Sequence, residues 1–546
     1  MKKTKLLALL FGVLALFGAC SGCLKRDRGE NEAPLTPDTV RIHVVSKGYG
    51  ADWEREVAKG FTAKTGIPAA VVETGQDDGY PGLAVQNPSL NQIDIFFPTE
   101  NYVFSQLAQN NFVPGYEKAW ADLTDVYEAP AEGYKELQAN PGLKIKDIVN
   151  KEIYDAFTYK DSKQYMMGYA TSVCGLLYNK KLWGETNAKL GGEPLALPRT
   201  TAEMDALFKR IKDLRDAGTT TAYAYTYSGG NDYTEILING WWAQYDGKEK
   251  AYAALEGKYL EYNPATGIYD DKGYSPKIFD TDGRQYAFQS AINMFKTGYT
   301  DTLDSAKSFT LAQVGFLQGD AFFMANGDWL EREASRQFNP EDTEIEFIKL
   351  PVVSQIVNHP AITANDTMNE AQLSGVIKWI DDGEPAGSKP AFHEKTLNFL
   401  RDARKFNGQS QAFARVAHIP VYSPRLESAK KFLKYMYSKE GQEIMMKKAY
   451  GTMCPINADM SQFDYYSQGA SAMAKSKLNL FQNSYAFGAN NATPMQYLGK
   501  LSFNRFQDTN KPHAWTNAAA IRSYEYNLFN SGILWADMMS KAGVSN

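Results

Sequence analysis

The spacing of apolar residues predicts strands that alternate with helices. Residues 39–45, TVRIHVV, alternate in polarity and are rich in β-branched side chains, which is typical of a strand. Trp53, Val57 and Phe61 then recur at every fourth position, the spacing of a helix that packs one face on a sheet. Short apolar runs predict two more strands, at 69–73 and 93–97. This order predicts an α/β protein with a parallel, doubly wound sheet and ligand sites at the carboxyl ends of its strands.

The same alternation returns in the second half of the chain. Residues 175–183 predict a strand and then a turn, and residues 321–325 predict another strand. Thr200 is followed three residues later by Glu203, the spacing of a capping box at the start of a helix. Further helices are predicted at 284–295, at 428–437, at 442–449 and over most of the last 35 residues. Polar, tyrosine-rich segments near 255–282 read as insertions.

The first residues have the composition of an export signal. Lysines precede an apolar stretch too short to span a membrane, and Gly18, Ala19 and Cys20 follow. This end resembles the lipobox of bacterial lipoproteins, which implies that 1–19 is a lipoprotein signal peptide and that Cys20 is acylated. Cys23 is a second possible acceptor, and the alternative is a plain cleaved signal with a secreted product. Residues 20–38 are expected to be the lipidated cysteine and a flexible tether.

Charge and cysteine content exclude several classes of function. The net charge of −5 argues against nucleic acid as a partner, because such proteins carry a basic face. Cys174 and Cys454 are single and far apart, so no disulfide framework or zinc spacing is present. The five histidines are scattered. The sequence therefore predicts no metal ion and no cofactor.

Five stretches, taken together and in order, resemble the extracellular solute-binding proteins of bacterial ABC sugar importers, the relatives of maltose-binding protein. The resemblance covers most of residues 40–545. Its stretches are DIFFPTENYVFSQLAQNNFV, GYATSVCGLLYNKKLW, LPRTTAEMDALFKRIKDL, GDAFFMANGDWLERE and AKKFLKYMYSKEGQEIM with the later YGTMCP.

The resemblance implies two α/β lobes, each a mostly parallel sheet flanked by helices, joined by hinge crossings around a ligand cleft. The crossings are expected near 170–175, 349–356 and 451–455. Lobe 1 would then be 38–172 plus 352–453, and lobe 2 would be 173–351 plus 454–546.

The resemblance also implies a function. The protein would be a non-enzymatic receptor, anchored by lipid on the extracellular face of the cell membrane. It would capture a carbohydrate, expected to be an oligosaccharide, and deliver it to the permease subunits of an ABC transporter. Delivery to one permease makes a monomer the expected state.

The turn that contains Asp328 and Trp329 is the leading candidate for ligand contact. Sugars present an apolar face of C–H groups and a rim of hydroxyls, so an indole covers the face and a carboxylate accepts at the rim. In the resembled family the equivalent Trp stacks on sugar. The alternative is a core Trp next to an Asp that caps a helix.

Two further aromatic segments are candidates in the second lobe. Trp241 and Trp242 are adjacent, and neighbours on a helix diverge by about 100°, so only one is expected to face the cleft. Tyr227 and Asp232 belong to a polar, aromatic loop that follows a predicted strand. A surface loop whose tyrosines pack locally is the alternative.

The remaining candidates lie around the first lobe and the crossings. Tyr49 follows the first strand, and Glu100 and Asn101 occupy the position where the resembled family places a ligand-binding acid. Ser172 lies at the first crossing, and Trp515 is a candidate near the C-terminus.

Two rival functions remain open at this point. The same fold can bind a non-sugar solute such as a peptide or a polyamine. A secreted glycosidase would also be rich in aromatic and acidic residues, but it needs two carboxylates about 5 Å or about 6.5–9.5 Å apart.

Overall fold

The computed structural model describes residues 35–45, 48–73, 80–108, 113, 115–229, 233–335, 344–410, 413–488 and 517–541. The predicted lipidation site Cys20, the predicted signal peptide, most of the predicted tether, and the candidates Asp232 and Trp515 lie outside these residues.

The chain folds into twelve described strands. They are β1 (Val40–Val44), β2 (Ala69–Glu73), β3 (Ile95–Phe97), β4 (Met167–Gly168), β5 (Val173–Asn179), β6 (Tyr223–Thr226), β7 (Lys258–Asn263), β8 (Ile268–Tyr274), β9 (Ala321–Gly327), β10 (Ile345–Ile348), β11 (Gly408–Ser410) and β12 (Val416–Ala417).

Helices cover much of the rest. In the first half they are α1 (Asp52–Thr65), α2 (Tyr80–Gln86), α3 (Val103–Ala108), α4 (Thr124–Tyr127), α5 (Lys135–Ala139), α6 (Ile145–Ile148), α7 (Lys151–Phe157), α8 (Lys180–Lys189), α9 (Thr201–Asp216), α10 (Thr234–Asp246) and α11 (Lys248–Leu255). The later helices are α12 (Asp282–Met294), α13 (Phe309–Gln318), α14 (Leu330–Ala334), α15 (Pro360–Thr363), α16 (Glu370–Asp381), α17 (Glu394–Ala403), α18 (Leu426–Met436), α19 (Lys439–Lys448), α20 (Asp464–Gln468), α21 (Ala472–Asn483), α22 (Ala518–Asn530) and α23 (Ile533–Lys541).

The predicted two-lobe α/β fold is confirmed. The first lobe is built on the parallel sheet β2–β1–β3, in which Ile42 pairs with Val71 on one side and Ile95 on the other. Helix α1 packs Trp53, Val57 and Phe61 into the core of this lobe, as their spacing predicts.

The sheet of the second lobe differs from the expectation of a mostly parallel sheet. Its order is β10–β5–β9–β6, with β11 also paired to β5, and among the described strands of this sheet only β6 and β9 run parallel. Strand direction depends on the end at which each connection delivers the chain, and the apolar pattern of a strand does not encode it.

Three local predictions also meet different outcomes. The turn predicted after β5 is helix α8, whose first turn is capped by Asn179 accepting from the Leu182 N–H at 2.9 Å. Thr200 caps α9 as predicted, accepting from the Glu203 N–H at 3.2 Å, but the Glu203 carboxylate accepts from the N–H of Arg199 rather than from that of Thr200. The 255–282 insertion forms the antiparallel hairpin β7–β8.

The first crossing lies where β4 ends and β5 begins. Strand β4 pairs with β12 beside the first lobe, and β5 is in the sheet of the second lobe. The chain therefore changes lobe between Gly168 and Val173.

The predicted second and third crossings are wrong. Val352, Ile377 and Leu400 are fully or almost fully buried in the core of the second lobe, so residues 352–403 belong there and the chain returns between β11 and β12. Phe463 is buried in the first core, and the chain leaves that lobe only between α20 and α21. The physical reason is that both lobes bury apolar segments of the same character, so sequence pattern does not show which core a segment joins.

Among the described residues, no helix combines the length and the apolar character needed to cross a membrane.

Candidate functional site

Strand β9 delivers the Asp328–Trp329 pair to the boundary between the lobes. The backbone N–H of Asp328 donates to the carbonyl of Val173, at the start of the crossing strand β5, at 2.9 Å. The indole of Trp329 folds back over Gly327, where a Cβ would lie 2.4 Å from the ring. Glycine at 327 is therefore what allows this ring to lie against the strand end.

The loop that follows β1 meets this turn from the first lobe. The Tyr49 hydroxyl donates to Asp328 Oδ1 at 2.5 Å, and both side chains are buried. Gly48 lies against Trp329, since a Cβ at Gly48 would be 3.6 Å from the Cβ of Trp329. The two lobes thus touch through these residues, and the structure shows the cleft closed at this point.

A buried lysine reaches the same carboxylate from the third crossing. Lys477, on α21, is 2% exposed, and its Nζ lies 3.3 Å from Asp328 Oδ2. The Nζ–Oδ2 contact does not have the geometry of a hydrogen bond, so Oδ2 accepts none among the described residues. The lysine donates instead to Thr452 Oγ1 at 3.2 Å. Asp328 is therefore held between a phenol of one lobe and an ammonium group at the hinge.

Burial sets the protonation of two side chains here. Burial, reinforced by the negative charge of Asp328, raises the pKa of Tyr49 well above its usual value, so its hydroxyl remains a donor. Burial also raises the pKa of Glu331 to about 7, although the Ser471 hydroxyl, which donates to it at 3.0 Å, and the positive charge of Lys477 lower it.

Aromatic and cationic groups surround Trp329. Tyr49 contacts it edge-on with ring centroids 6.4 Å apart, and Tyr233 lies at 5.8 Å. The Arg415 guanidinium lies 5.6 Å from the centroid of the indole. This arrangement combines ring faces with carboxylate, guanidinium and ammonium groups, which suits a solute with both apolar faces and polar edges.

Ser172 marks the first crossing beside this group. It has a left-handed backbone with φ of +40° and is fully buried. Its Oγ lies near Tyr49 without a hydrogen bond of good geometry. A strained non-glycine residue with an unsatisfied hydroxyl is unusual in a core and fits a functional position.

Trp241 and Trp242 are core residues, which corrects the expectation that one of them faces the cleft. Trp241 donates its indole N–H to the carbonyl of Pro351 at 2.9 Å, and Trp242 donates to Asp246 at 2.8 Å. Both are at most 1% exposed, because α10 is buried on nearly every side. They are therefore not part of the site.

The candidates from the first lobe also differ in their placement. The side chain of Asn101 makes its hydrogen bonds within the protein: its Oδ1 accepts from the Val103 N–H at 3.1 Å, and its amide donates to the carbonyl of Phe413 at 2.8 Å. Glu100 is exposed and accepts from the Tyr102 hydroxyl. Of the first-lobe candidates, the structure brings only Tyr49 to the Asp328 turn.

Tyr227 lies just past the carboxyl end of β6 in the second lobe. Its ring packs edge-on against Phe295, with centroids 5.0 Å apart. It is partly buried and belongs to the packing around the second core.

Several residues of the site could not be found from sequence motifs. Lys477 and Arg415 lie in segments with no chemical motif, and they reach the cleft only because the chain crosses between lobes close by. Arg332 and Glu331 follow Trp329 directly and would have been found by extending the candidate turn along α14.

In the part of the chain that the structure describes, no group of three or more His, Cys, Asp or Glu side chains is placed to hold a metal ion. Cys174 and Cys454 are both buried and free, and burial raises the pKa of each thiol.

Comparison with known proteins identifies the family of the chain. No individual curated protein matches the chain. A family profile described as bacterial extracellular solute-binding protein matches residues 56–475, which include most of both lobes, all three crossings and the Asp328–Trp329 turn. The chain therefore belongs to the family of bacterial extracellular solute-binding proteins.

Proposed function

We propose that this solute-binding protein is a lipid-anchored receptor for a carbohydrate, expected to be an oligosaccharide. It captures the sugar between its lobes and delivers it to the permease subunits of an ABC transporter. Family membership establishes an extracellular solute-binding role in ABC transport. We propose three further properties: that the solute is a sugar, that Cys20 anchors the protein on the extracellular face of the membrane, and that the protein is a monomer.

The observation that carries the proposal is the placement of Trp329 next to Asp328 where the lobes meet. A ring face and a charged acceptor, supplied by one turn, match the apolar face and hydroxyl rim of a pyranose. Tyr49 and Tyr233 add ring surface, and Tyr49 comes from the opposite lobe. A sugar in this position would contact both lobes, which is what stabilises a closed hinge protein.

The binding groups are expected to hold the sugar and not to transform it. Asp328 is already engaged by the Tyr49 hydroxyl and by the charge of Lys477, so its carboxylate is tied into a fixed network. Affinity would come from ring stacking and charge-assisted hydrogen bonds in a closed, dry cleft.

A thermal-shift screen tests this proposal. The purified protein is heated with mono- and oligosaccharides, and with peptides and polyamines as controls, while reducing ends are assayed in the same wells. A ligand that binds only the native state raises Tm by mass action. A shift with one class of saccharide and no release of reducing ends is expected. Release of new reducing ends would favour a glycosidase, and a shift with peptides or polyamines alone would overturn the sugar.

A further inference from the structure

Arg332 is a cation at the contact between the lobes whose guanidinium has no hydrogen-bonded or ion-paired partner among the described residues. It projects from α14 of the second lobe onto Gly50 of the first, where a Cβ would lie 2.4 Å from Arg332 Nη2. Within the described ranges, no hydrogen bond or ion pair engages its guanidinium. Its neighbour Glu333 accepts a 2.7 Å hydrogen bond from Gln313 instead.

Arg415 is a second incompletely satisfied cation, and it belongs to the first lobe. Its Nη1 donates to the carbonyl of Thr99, and its guanidinium lies over the Trp329 ring. Its Nε is buried, and no described residue accepts a hydrogen bond from it. The Trp329 ring is thus covered by the Arg415 guanidinium, while Arg332, three residues after Trp329 on α14, reaches Gly50 of the opposite lobe.

One carboxyl, Glu333, lies close enough for both arginines to act on it, although burial raises its pKa, and no described carboxylate forms an ion pair with either guanidinium. Asp328 is already opposed by Lys477, and the carboxyl of Glu331 is only partly ionised near neutral pH because burial raises its pKa to about 7. On α1, Glu54 is buried and its pKa is raised well above the usual value, and Asp52 is exposed and paired with Arg55. The whole chain carries −5, so a positive cleft is a local feature.

A poorly compensated cation in a closed cleft is costly unless an anion meets it. Guanidinium groups also have the geometry for carboxylates, because two parallel N–H donors match the two oxygens. The chemistry of the ligand can be inferred from that match.

We propose that the solute carries an anionic group, and specifically that it is a saccharide with a carboxylate on the ring. Arg332 and Arg415 bind the carboxylate from the two lobes, while Trp329 covers the face of the same sugar. The inference rests on the proposed carbohydrate function and narrows it to acidic sugars. A sugar phosphate offers the same charge and is the other source of such an anion.

The test compares ligands that differ only in charge. Isothermal titration calorimetry of the purified protein uses an oligogalacturonate and its methyl ester, with a neutral oligosaccharide of the same length, a sugar phosphate and sodium acetate as further arms. We expect the oligogalacturonate to bind at least tenfold more tightly than its ester, with weaker binding at high ionic strength. Tighter binding of the sugar phosphate would support an anionic ligand but contradict the proposal that its charge is a carboxylate. Binding of acetate alone would contradict the proposal that the ligand is a saccharide.

Matched variants locate the effect. Arg332→Gln and Arg415→Gln should each weaken oligogalacturonate binding at least tenfold, and Arg210→Gln, on the surface of α9, should leave it unchanged. Arg332 is partly exposed, so its variant remains informative if Arg415→Gln does not fold. Equal affinity for the oligogalacturonate and its ester, or full affinity in folded variants, would contradict the proposal of an acidic sugar. The broader proposal of a carbohydrate receptor would remain. Failure of every saccharide would overturn the proposed function itself.

Discussion

Tyr49 of the first lobe donates a 2.5 Å hydrogen bond to Asp328 of the second lobe, although the two residues are 279 positions apart in the chain. The bond joins the loop after β1 to the turn after β9, and both partners are buried. It therefore stabilises the closed arrangement of the lobes. A solute that needs Asp328 must replace the phenol.

Tyr49→Phe should shift the ligand-free protein towards an open state. A hydrogen bond to a charged acceptor contributes about 1.5–3 kcal/mol, and the variant removes it while keeping the ring. Small-angle X-ray scattering of the ligand-free variant should give a larger radius of gyration than the wild type. Tyr435→Phe is the control, since its hydroxyl donates to Glu440 within the first lobe. Identical scattering curves for Tyr49→Phe and wild type would show that this bond does not govern closure.

Trp329→Ala should weaken binding of the solute by at least about 1 kcal/mol, since ring contacts of this kind contribute that much beyond the buried area. The variant should also lose stability, because the indole is only 6% exposed and packs against Tyr49 and Tyr233. Affinity is therefore measured by titration under conditions where circular dichroism shows a folded variant.

Trp183→Ala is the matched control for this prediction. Its indole packs on Phe322 and Phe323 in the second lobe, so the change should lower stability and leave affinity unaltered. Equal affinities in Trp329→Ala and wild type would make Trp329 a core residue with no role in binding.

Glu331 predicts a dependence of stability on pH. Burial raises its pKa from 4.5 to about 7, so between these values the folded state holds a proton that the unfolded state releases. The free energy of unfolding should therefore fall as pH rises through this window, by about 3 kcal/mol at most. Glu331→Gln removes this titration. The stability of the variant relative to wild type should thus rise from pH 4.5 to pH 7 and then level off.

Urea unfolding at pH 5, 6, 7 and 8 measures this difference. The exposed Glu427, on α18, provides the control, and Glu427→Gln should show no such change with pH. A constant difference between Glu331→Gln and wild type at all four pH values would mean that the carboxyl titrates normally.

Local structure was predictable where periodicity is strong. Strand β2 has the predicted bounds, 69–73, and the four-residue spacing of Trp53, Val57 and Phe61 identified α1. These features depend on residues that are neighbours in the chain. Helix α8 was missed because it buries only Thr186 and has no apolar stripe to recognise.

The assignment of segments to lobes was much less predictable. Val352 and Ile377 look the same in sequence whether they pack in one core or the other, and only the tertiary fold places them in the second lobe. Trp241 and Trp242 show the same limit. On a helix with one exposed face, one of the two indoles would be exposed, but α10 is buried on nearly every side within the second lobe.

The candidate site was predictable only in its central turn. Asp328 and Trp329 share a short motif, and Tyr49 follows a recognisable strand. Arg415 and Lys477 come from distant segments that meet the turn because the chain crosses the hinge three times. The spacing of residues in the sequence does not indicate such contacts between distant segments.

A buried histidine gives the last prediction, in the first lobe. His418 is 1% exposed and lies among aromatic rings, with Trp120 at 4.3 Å and Phe96 at 5.7 Å between centroids. Burial lowers its pKa from 6.5 to about 3, so below pH 6.5 the unfolded state binds a proton that the folded state refuses. Stability should be lost as pH falls, by about 3 kcal/mol between pH 7 and pH 4.5 for this group.

His418→Phe keeps a ring and removes the titration, so its stability relative to wild type should increase as pH falls. Urea unfolding at both pH values measures this, with the exposed His393→Gln as the control. Parallel loss of stability in His418→Phe and wild type would assign the acid sensitivity to other groups, the neighbouring His43 first.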